Sequence, residues 1–184
     1  MNKLTWIILG IVAVVALYSW SLYNGLVKAD ENITGQWAQV QTQYQRRFDL
    51  IPNLVNSVKG IMNQEKEIFT ALAEARTRYA GATNVNDKVQ AANDVETSLS
   101  RLLVIVENYP QLRSSETVLT LMAQLEGTEN RISVERNRFN DLVRIYNTKI
   151  KTFPAKIFAS LFGFNEKPYF ESQSGAEKVP GVNF

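Results

Sequence analysis

The sequence predicts an all-α protein, an N-terminal transmembrane helix followed by an antiparallel bundle of long helices. Three observations carry this reading. Residues 4–27 form an uncharged run of 24 residues between Lys3 and Lys28. Beyond it, apolar residues recur at intervals of three and four, the pattern of helices with one buried stripe. No segment alternates as a half-buried strand would.

The first element is the anchor. A hydrocarbon core about 30 Å thick is crossed by about 20 apolar residues in a helix, and Leu4–Leu22 reads LTWIILGIVAVVALYSWSL. Trp6 stands near one end, and Trp20 and Tyr23 near the other, where amphipathic rings favour the interface. The competing reading is a cleaved signal peptide, with small residues around Val27-Lys28-Ala29 as cleavage positions. The run exceeds the about 7–15 residues of a signal h-region, which favours an uncleaved single-pass anchor in the cell (inner) membrane. Orientation rests on flanking cations. Lys3 and a terminal amine stand on the short side, against Lys28 beside Asp30 and Glu31 on the other. Since acidic residues count little, the N-terminus falls in the cytoplasm and the soluble domain on the outer or periplasmic side.

The soluble domain spans 28–172. Its first stripe runs through Ile33, Trp37, Val40, Tyr44, Phe48, Ile51, Val55, Val58, Met62, Phe69 and Leu72. Pro52 lies inside it, where a proline removes one backbone donor and clashes with the preceding turn. A kink near Leu50–Ile51, or a break into two helices, is therefore expected. Gly81–Asn84 reads as a loop. A second helix covers about Asn86–Asn108, with Val89, Ala92, Val95, Leu99, Leu102 and Val106 on its stripe, and Pro110 ends it. A third begins near Ser115, with Ser114 or Ser115 as N-cap and Glu116 in the first turn. Its stripe runs Val118, Leu121, Leu125, Thr128, Ile132, Phe139, Leu142, Tyr146 and Ile150, about 54 Å of helix at 1.5 Å per residue. Such stripes must pack side by side. Ala155–Phe162 reads as a short amphipathic helix with Gly163 as its C-cap. Residues 173–184, rich in Gly, Pro and polar residues, read as a flexible C-terminal tail.

Composition narrows the chemistry. The 184 residues suit one domain, and 45% hydrophobic with 21% charged residues suits a folded one. There is no His and no Cys, so neither a Ser-His-Asp or Cys-His nucleophile system nor an imidazole or thiolate zinc site can be built. The glycines form no phosphate-cradling motif, and no cofactor is expected. A net charge of +2 gives no reason to expect nucleic acid.

Several constellations remain. Arg46, Arg47, Asp49 and Asn53 crowd around Pro52. They read either as an anion or partner-docking site, since guanidinium forks match carboxylates and phosphates, or as interhelical hydrogen bonding that satisfies the kink. The second reading is preferred, because polar networks in bundles specify packing. On the third helix, Glu129, Arg136, Asn140 and Asn147 share one face beside the apolar stripe, at intervals of 7, 4 and 7. Such flanking positions select a partner helix, or join a buried network with Arg46 or Arg47; either way they read as assembly or packing. Glu65 and Glu129 are the remaining carboxylates for acid–base work, but no nucleophile–base pair accompanies them and no enzyme is expected. The cations Arg131, Arg136, Arg138, Arg144, Lys149, Lys151 and Lys156 precede an aromatic segment. They suit anionic headgroups, yet are spread around the helix as on a solvated face, which is the preferred reading. Phe153, Phe158, Phe162, Phe164, Tyr169 and Phe170 form a candidate aromatic interface.

The stretches QYQRRFDLIPNLVNSVKG (Gln43–Gly60), VENYPQLRSSE (Val106–Glu116), ENRISVERNRFNDLVRIYNTKIKTFP (Glu129–Pro154) and FASLFGFNEKPYFE (Phe158–Glu171) together resemble the LemA family of bacterial membrane proteins, over about residues 30–172. The resemblance implies a single-pass membrane protein with a mostly helical soluble domain, and supplies no enzyme mechanism. Related proteins in magnetotactic bacteria are implicated in shaping magnetosome membranes, so it further implies an assembly role on a membrane, a fold-level warrant only. The expectation is a membrane-anchored scaffold that self-associates through its bundle, with the lipid bilayer and further copies of itself as partners. The alternative is an adaptor subunit for another membrane protein, such as a protease or transporter.

Overall fold

The uncharged run and the first apolar stripe as far as Val58 form a single helix, α1 (Lys3–Lys59), in a computed structural model that describes residues 3–62 and 64–170. The head of α1 is bare: residues 3–18 are all exposed, and Leu26 is the first to be fully buried. Among the described residues, α1 is the one helix long and apolar enough to cross a membrane.

Of the kink or break expected at Pro52, the break does not occur. α1 continues through Pro52 to Lys59. Proline removes one donor from the ladder, while Phe48, Ile51 and Leu54 around it are all buried, and a packed stripe outweighs one missing bond. The break comes instead at Gly60, a residue with a high entropic cost in helices. There the amides of Ile61 and Met62 both bond to the Val58 carbonyl, at 3.1 and 2.9 Å. Leu72, read as the end of the first stripe, therefore belongs to a separate helix, α2 (Lys66–Gly81).

A short connection leads to α3 (Val85–Glu107), within a residue of the expected bounds. Asn84 caps it: Oδ1 accepts from the Asp87 amide at 2.8 Å, while Nδ2 donates to the Asp87 carboxylate at 2.6 Å. Pro110 then opens a single turn of its own, α4 (Pro110–Arg113), which the sequence reading lacked. Proline suits the first helical position because that amide would have no partner anyway.

After α1 the longest helix among the described residues is α5 (Glu116–Lys151), with Ser115 Oγ 3.5 Å from the Val118 amide at its start. Its buried stripe matches expectation except that Leu142 is half-buried and Val143 fully buried. The inward positions there are Phe139, Val143, Tyr146 and Ile150, steps of four, three and four that follow the helical pitch. α6 (Ala155–Phe162) closes at Gly163, whose φ of 77° is left-handed. The Phe164 amide bonds back to the Ala159 carbonyl at 2.9 Å, so this C-cap stands as expected. The six helices are the only regular elements among the described residues, and the fold is all-α. The tail expected over 173–184 lies outside the described residues, as does Glu171.

The helices form two compact units. The first holds the described residues up to Gln39 together with Glu135–Tyr169. In it α1 and α5 run antiparallel, since Lys149 lies against Gly25 while Glu135 meets Gln36. Its core is built from Leu26, Ile33, Trp37, Phe139, Val143 and Tyr146, with the rings of Trp37 and Phe139 5.7 Å apart. The second unit holds Val40–Val134 and, among the described residues, Phe170. Its core draws Tyr44, Ile51 and Leu54 from α1, Leu72 from α2, Leu99 and Leu102 from α3, and Leu125 and Ile132 from α5. Truncating any one such leucine to alanine costs about 2–5 kcal/mol, so this unit is held mainly by apolar burial.

Candidate functional site

In the second unit, Arg47 shares the inward face of α1 with Tyr44, Phe48 and Ile51, and its side chain is buried. Nη1 donates to Glu129 Oε2 on α5 and lies 3.7 Å from Glu96 Oε1 on α3. One guanidinium thus joins three helices. Glu96 is buried and Glu129 half-exposed. A buried pair of this kind contributes little net stability, because desolvation offsets attraction, but losing one partner is costly. The remaining residues around Pro52 lie elsewhere on α1. Arg46, Asp49 and Asn53 are exposed. Asp49 accepts a bond from Gln45 Nε2 at 2.8 Å, and the Asn53 carbonyl accepts from Ser57 Oγ at 2.8 Å. Arg46 lines an open cleft with Gln124, Thr128 and Arg131.

Tyr79 of α2 stands edge-on to Phe48, ring centroids 4.6 Å apart. Its hydroxyl oxygen is buried with no hydrogen-bond partner among the described residues. Burial pushes its pKa up to about 12, because the phenolate would be poorly solvated there.

The four residues read as one face of α5 are divided between the units: Glu129 belongs to the second, and Arg136, Asn140 and Asn147 to the first. Arg136 and Asn140 are half-buried. Asn147 is buried and holds the backbone of Lys167, donating to its carbonyl and accepting from its amide, each at 2.9 Å. The same lysine reaches Asp30 of α1 at 2.6 Å and stands 5.9 Å from the ring centre of Tyr146. Lys151 pairs with Glu166 at 2.7 Å. The segment after α6 is thereby strapped to both long helices. Tyr146 has its pKa raised by burial and, second, by the negative charge of Asp30.

The aromatic set differs in burial from residue to residue. Phe153 and Tyr169 are exposed, while Phe158 is half-buried. Phe162 and Phe164 meet Tyr23 of α1 edge-on, at centroid distances of 5.1 and 5.8 Å. Phe170 is buried and belongs to the other unit.

Sequence reasoning missed Glu96, Gln36, Glu135, Asp30 and Lys167. Glu96 carried a legible signal, since it lies four residues after Ala92 and three before Leu99, on the stripe itself. Gln36 donates to the Glu135 carboxylate at 2.6 Å, a pairing with no local signature. Of the two carboxylates considered for acid–base work, Glu129 is bound to Arg47. Glu65 lines a separate cleft with Ser98 and Arg101. Among the described residues no group of three acidic side chains is placed to hold a metal ion.

A family model described as the LemA family matches residues 36–184. The chain is similar to magnetosome protein MamQ 2 of Paramagnetospirillum magneticum, 24% identical over 198 residues, a match covering 92% of this chain and 73% of that protein. It is similar to magnetosome protein MamQ of Magnetospirillum gryphiswaldense, 24% identical over 181 residues, covering 84% of this chain and 66% of the relative. It is also similar to protein LemA of Metamycoplasma hominis, 21% identical over 131 residues, 71% of this chain and 60% of that protein. With four-fifths of its length matched by the family model, the chain belongs to the LemA family.

Proposed function

We propose that this protein is a membrane-anchored helical scaffold that self-associates through its bundle and organises the membrane around it. The observation that carries the reading is the bare head of α1. Residues 3–18, apolar except for Lys3, Thr5 and Gly10, are all exposed, whereas the same helix is buried along a stripe from Leu26 onward. An uncovered apolar helix of that length is stable in hydrocarbon and not in water.

Anchoring itself supports self-association. Copies confined to one membrane meet at high effective concentration, and the bundle presents exposed apolar side chains such as Val104 and Leu119. Kinship with proteins named for the magnetosome supports a role in building an assembled structure. The cation balance across the span supports a soluble domain on the outer or periplasmic side of the inner membrane, and cleavage of that domain by protease added to intact spheroplasts tests it.

The test of the scaffold is the particle mass of the full-length protein extracted gently from its own membrane. A large homomeric particle is expected. A monomer or small unit carrying a stoichiometric second polypeptide would overturn the scaffold in favour of an adaptor for another membrane protein.

A further inference from the structure

Resting on the anchored reading, we infer that α6, together with Phe153 just ahead of it, lies in the headgroup layer of the membrane crossed by α1, with its apolar face in the lipid. The helix has two faces of different fate. Ala155 and Ala159 are buried. Residues two positions on sit about 200° further round a helix of 3.6 residues per turn, and those positions are apolar and bare. Ile157 and Leu161 are 59% and 73% exposed, and Phe153, just ahead of the helix, is 82% exposed. In water such a row is unfavourable; at a bilayer surface it is the side that binds.

The occupant of that face is set by where α6 is fastened. The uncharged run begins at Leu4, and about 20 helical residues cross the hydrocarbon, so α1 leaves the core near Tyr23. Tyr23 is the residue whose ring meets Phe162 and Phe164, at 5.1 and 5.8 Å. α6 is therefore tied to the level at which α1 emerges, and Trp20, 73% exposed, marks the same level. Lys28, about one and a half turns past Tyr23, and Lys156, on α6 itself, are exposed and suit anionic headgroups. Eight residues bind a membrane weakly alone, but attachment to a span makes the contact intramolecular. The result is a foot that fixes the tilt and rotation of the first unit on the membrane, through side chains that take no part in the span.

Because the chain contains no cysteine, single labels can be introduced in the full-length protein. Ile157→Cys and Leu161→Cys, with Val14→Cys in the span and Thr77→Cys at an exposed position of α2 as references, are labelled with an environment-sensitive dye. The proteins are then reconstituted in phosphatidylcholine–phosphatidylglycerol vesicles. Expected is severalfold stronger quenching at 157 and 161 by nitroxide attached near the lipid headgroup than by aqueous iodide, with the reverse at 77. Quenching of 157 and 161 by iodide alone, with 14 still quenched by a nitroxide carried deep on the lipid acyl chain, would overturn the foot and leave the anchor standing. Protection of 157 and 161 from both quenchers would also overturn it, since protein rather than lipid would then cover α6. Failure of a nitroxide carried deep on the lipid acyl chain to quench 14 would overturn the anchored reading itself, and the foot with it.

Discussion

Asn147 and Lys167 are joined by a reciprocal pair of hydrogen bonds, with the asparagine amide donating to the lysine carbonyl and accepting from the lysine amide at 2.9 Å each. The two residues are 20 apart in sequence, and between them the chain finishes α5, forms α6 and returns. A side-chain amide matches this task because it carries a donor and an acceptor together, satisfying backbone groups that no helix provides for.

Replacing Asn147 by alanine should release this strap. Two bonds are lost and a buried site is left with unpaired backbone groups, a cost of about 2 kcal/mol. The Lys167 amide should exchange its hydrogen much faster, while amides in the middle of α3 stay protected. Asn147→Asp keeps the acceptor and loses the donor, so it should retain protection at the Lys167 amide. Unchanged exchange at Lys167 in Asn147→Ala would show that other contacts hold the segment.

The cluster around Arg47 should respond unequally to loss of its members. Arg47→Ala takes a cation from beside the carboxylate of Glu96, whose side chain is only 11% exposed, and should cost about 3–5 kcal/mol. Glu129 is 43% exposed and its charge stays hydrated, so Glu129→Gln should cost about 1 kcal/mol or less. Combining Arg47→Met with Glu96→Gln should recover part of the first loss. Equal destabilisation by Arg47→Ala and Glu129→Gln in denaturant titrations would refute burial as the deciding factor.

Tyr79 should make stability fall at alkaline pH. Its pKa in the folded protein is about 12 against an ordinary 10.0. Below the ordinary value both states keep the proton and pH has no effect through this group. Between about pH 10 and 12 the unfolded chain ionises while the folded one does not, and stability is lost. Tyr79→Phe should remove that part of the slope. At neutral pH it should raise stability by about 1 kcal/mol, because the buried hydroxyl has no partner among the described residues. Identical alkaline slopes for the two proteins would show that the hydroxyl titrates normally.

Gly163 should tolerate asparagine better than alanine. Its φ is 77°, and a Cβ there would meet nothing within 4 Å, so the penalty comes from the backbone alone. Gly163→Ala should cost about 1 kcal/mol, and Gly163→Asn less, since asparagine enters the left-handed region more readily. Thermal melts of the two variants give the ordering, and a reversed order would contradict a purely conformational cause.

Helix spans were legible in the sequence where caps and periodicity agreed. α5 and α6 have bounds that Ser115, Glu116 and Gly163 announce, and α3 differs by one residue at each end. At Pro52 the sequence allowed a kink or a break, and packing decided against the break: the buried stripe of Phe48, Ile51 and Leu54 holds the helix through it. The candidate site was less legible. Arg47 and Arg46 are neighbours of the same type, yet one is buried between carboxylates and the other exposed. The difference is about 100° of helix rotation, too fine to read without the partner helices.

By itself, then, the sequence determined the spans of α3, α5 and α6, the uncharged run at the head of α1 and most residues on each apolar stripe. These depend on interactions within about one turn, which spacing and capping encode directly. Tertiary structure alone decided that Arg47 meets Glu129, 82 residues away, that Asn147 clasps Lys167, and that α6 is tied to α1 through Tyr23. Such pairs depend on which helix faces come together, and helices packed by nonspecific apolar stripes acquire that register only when all the stripes are buried at once.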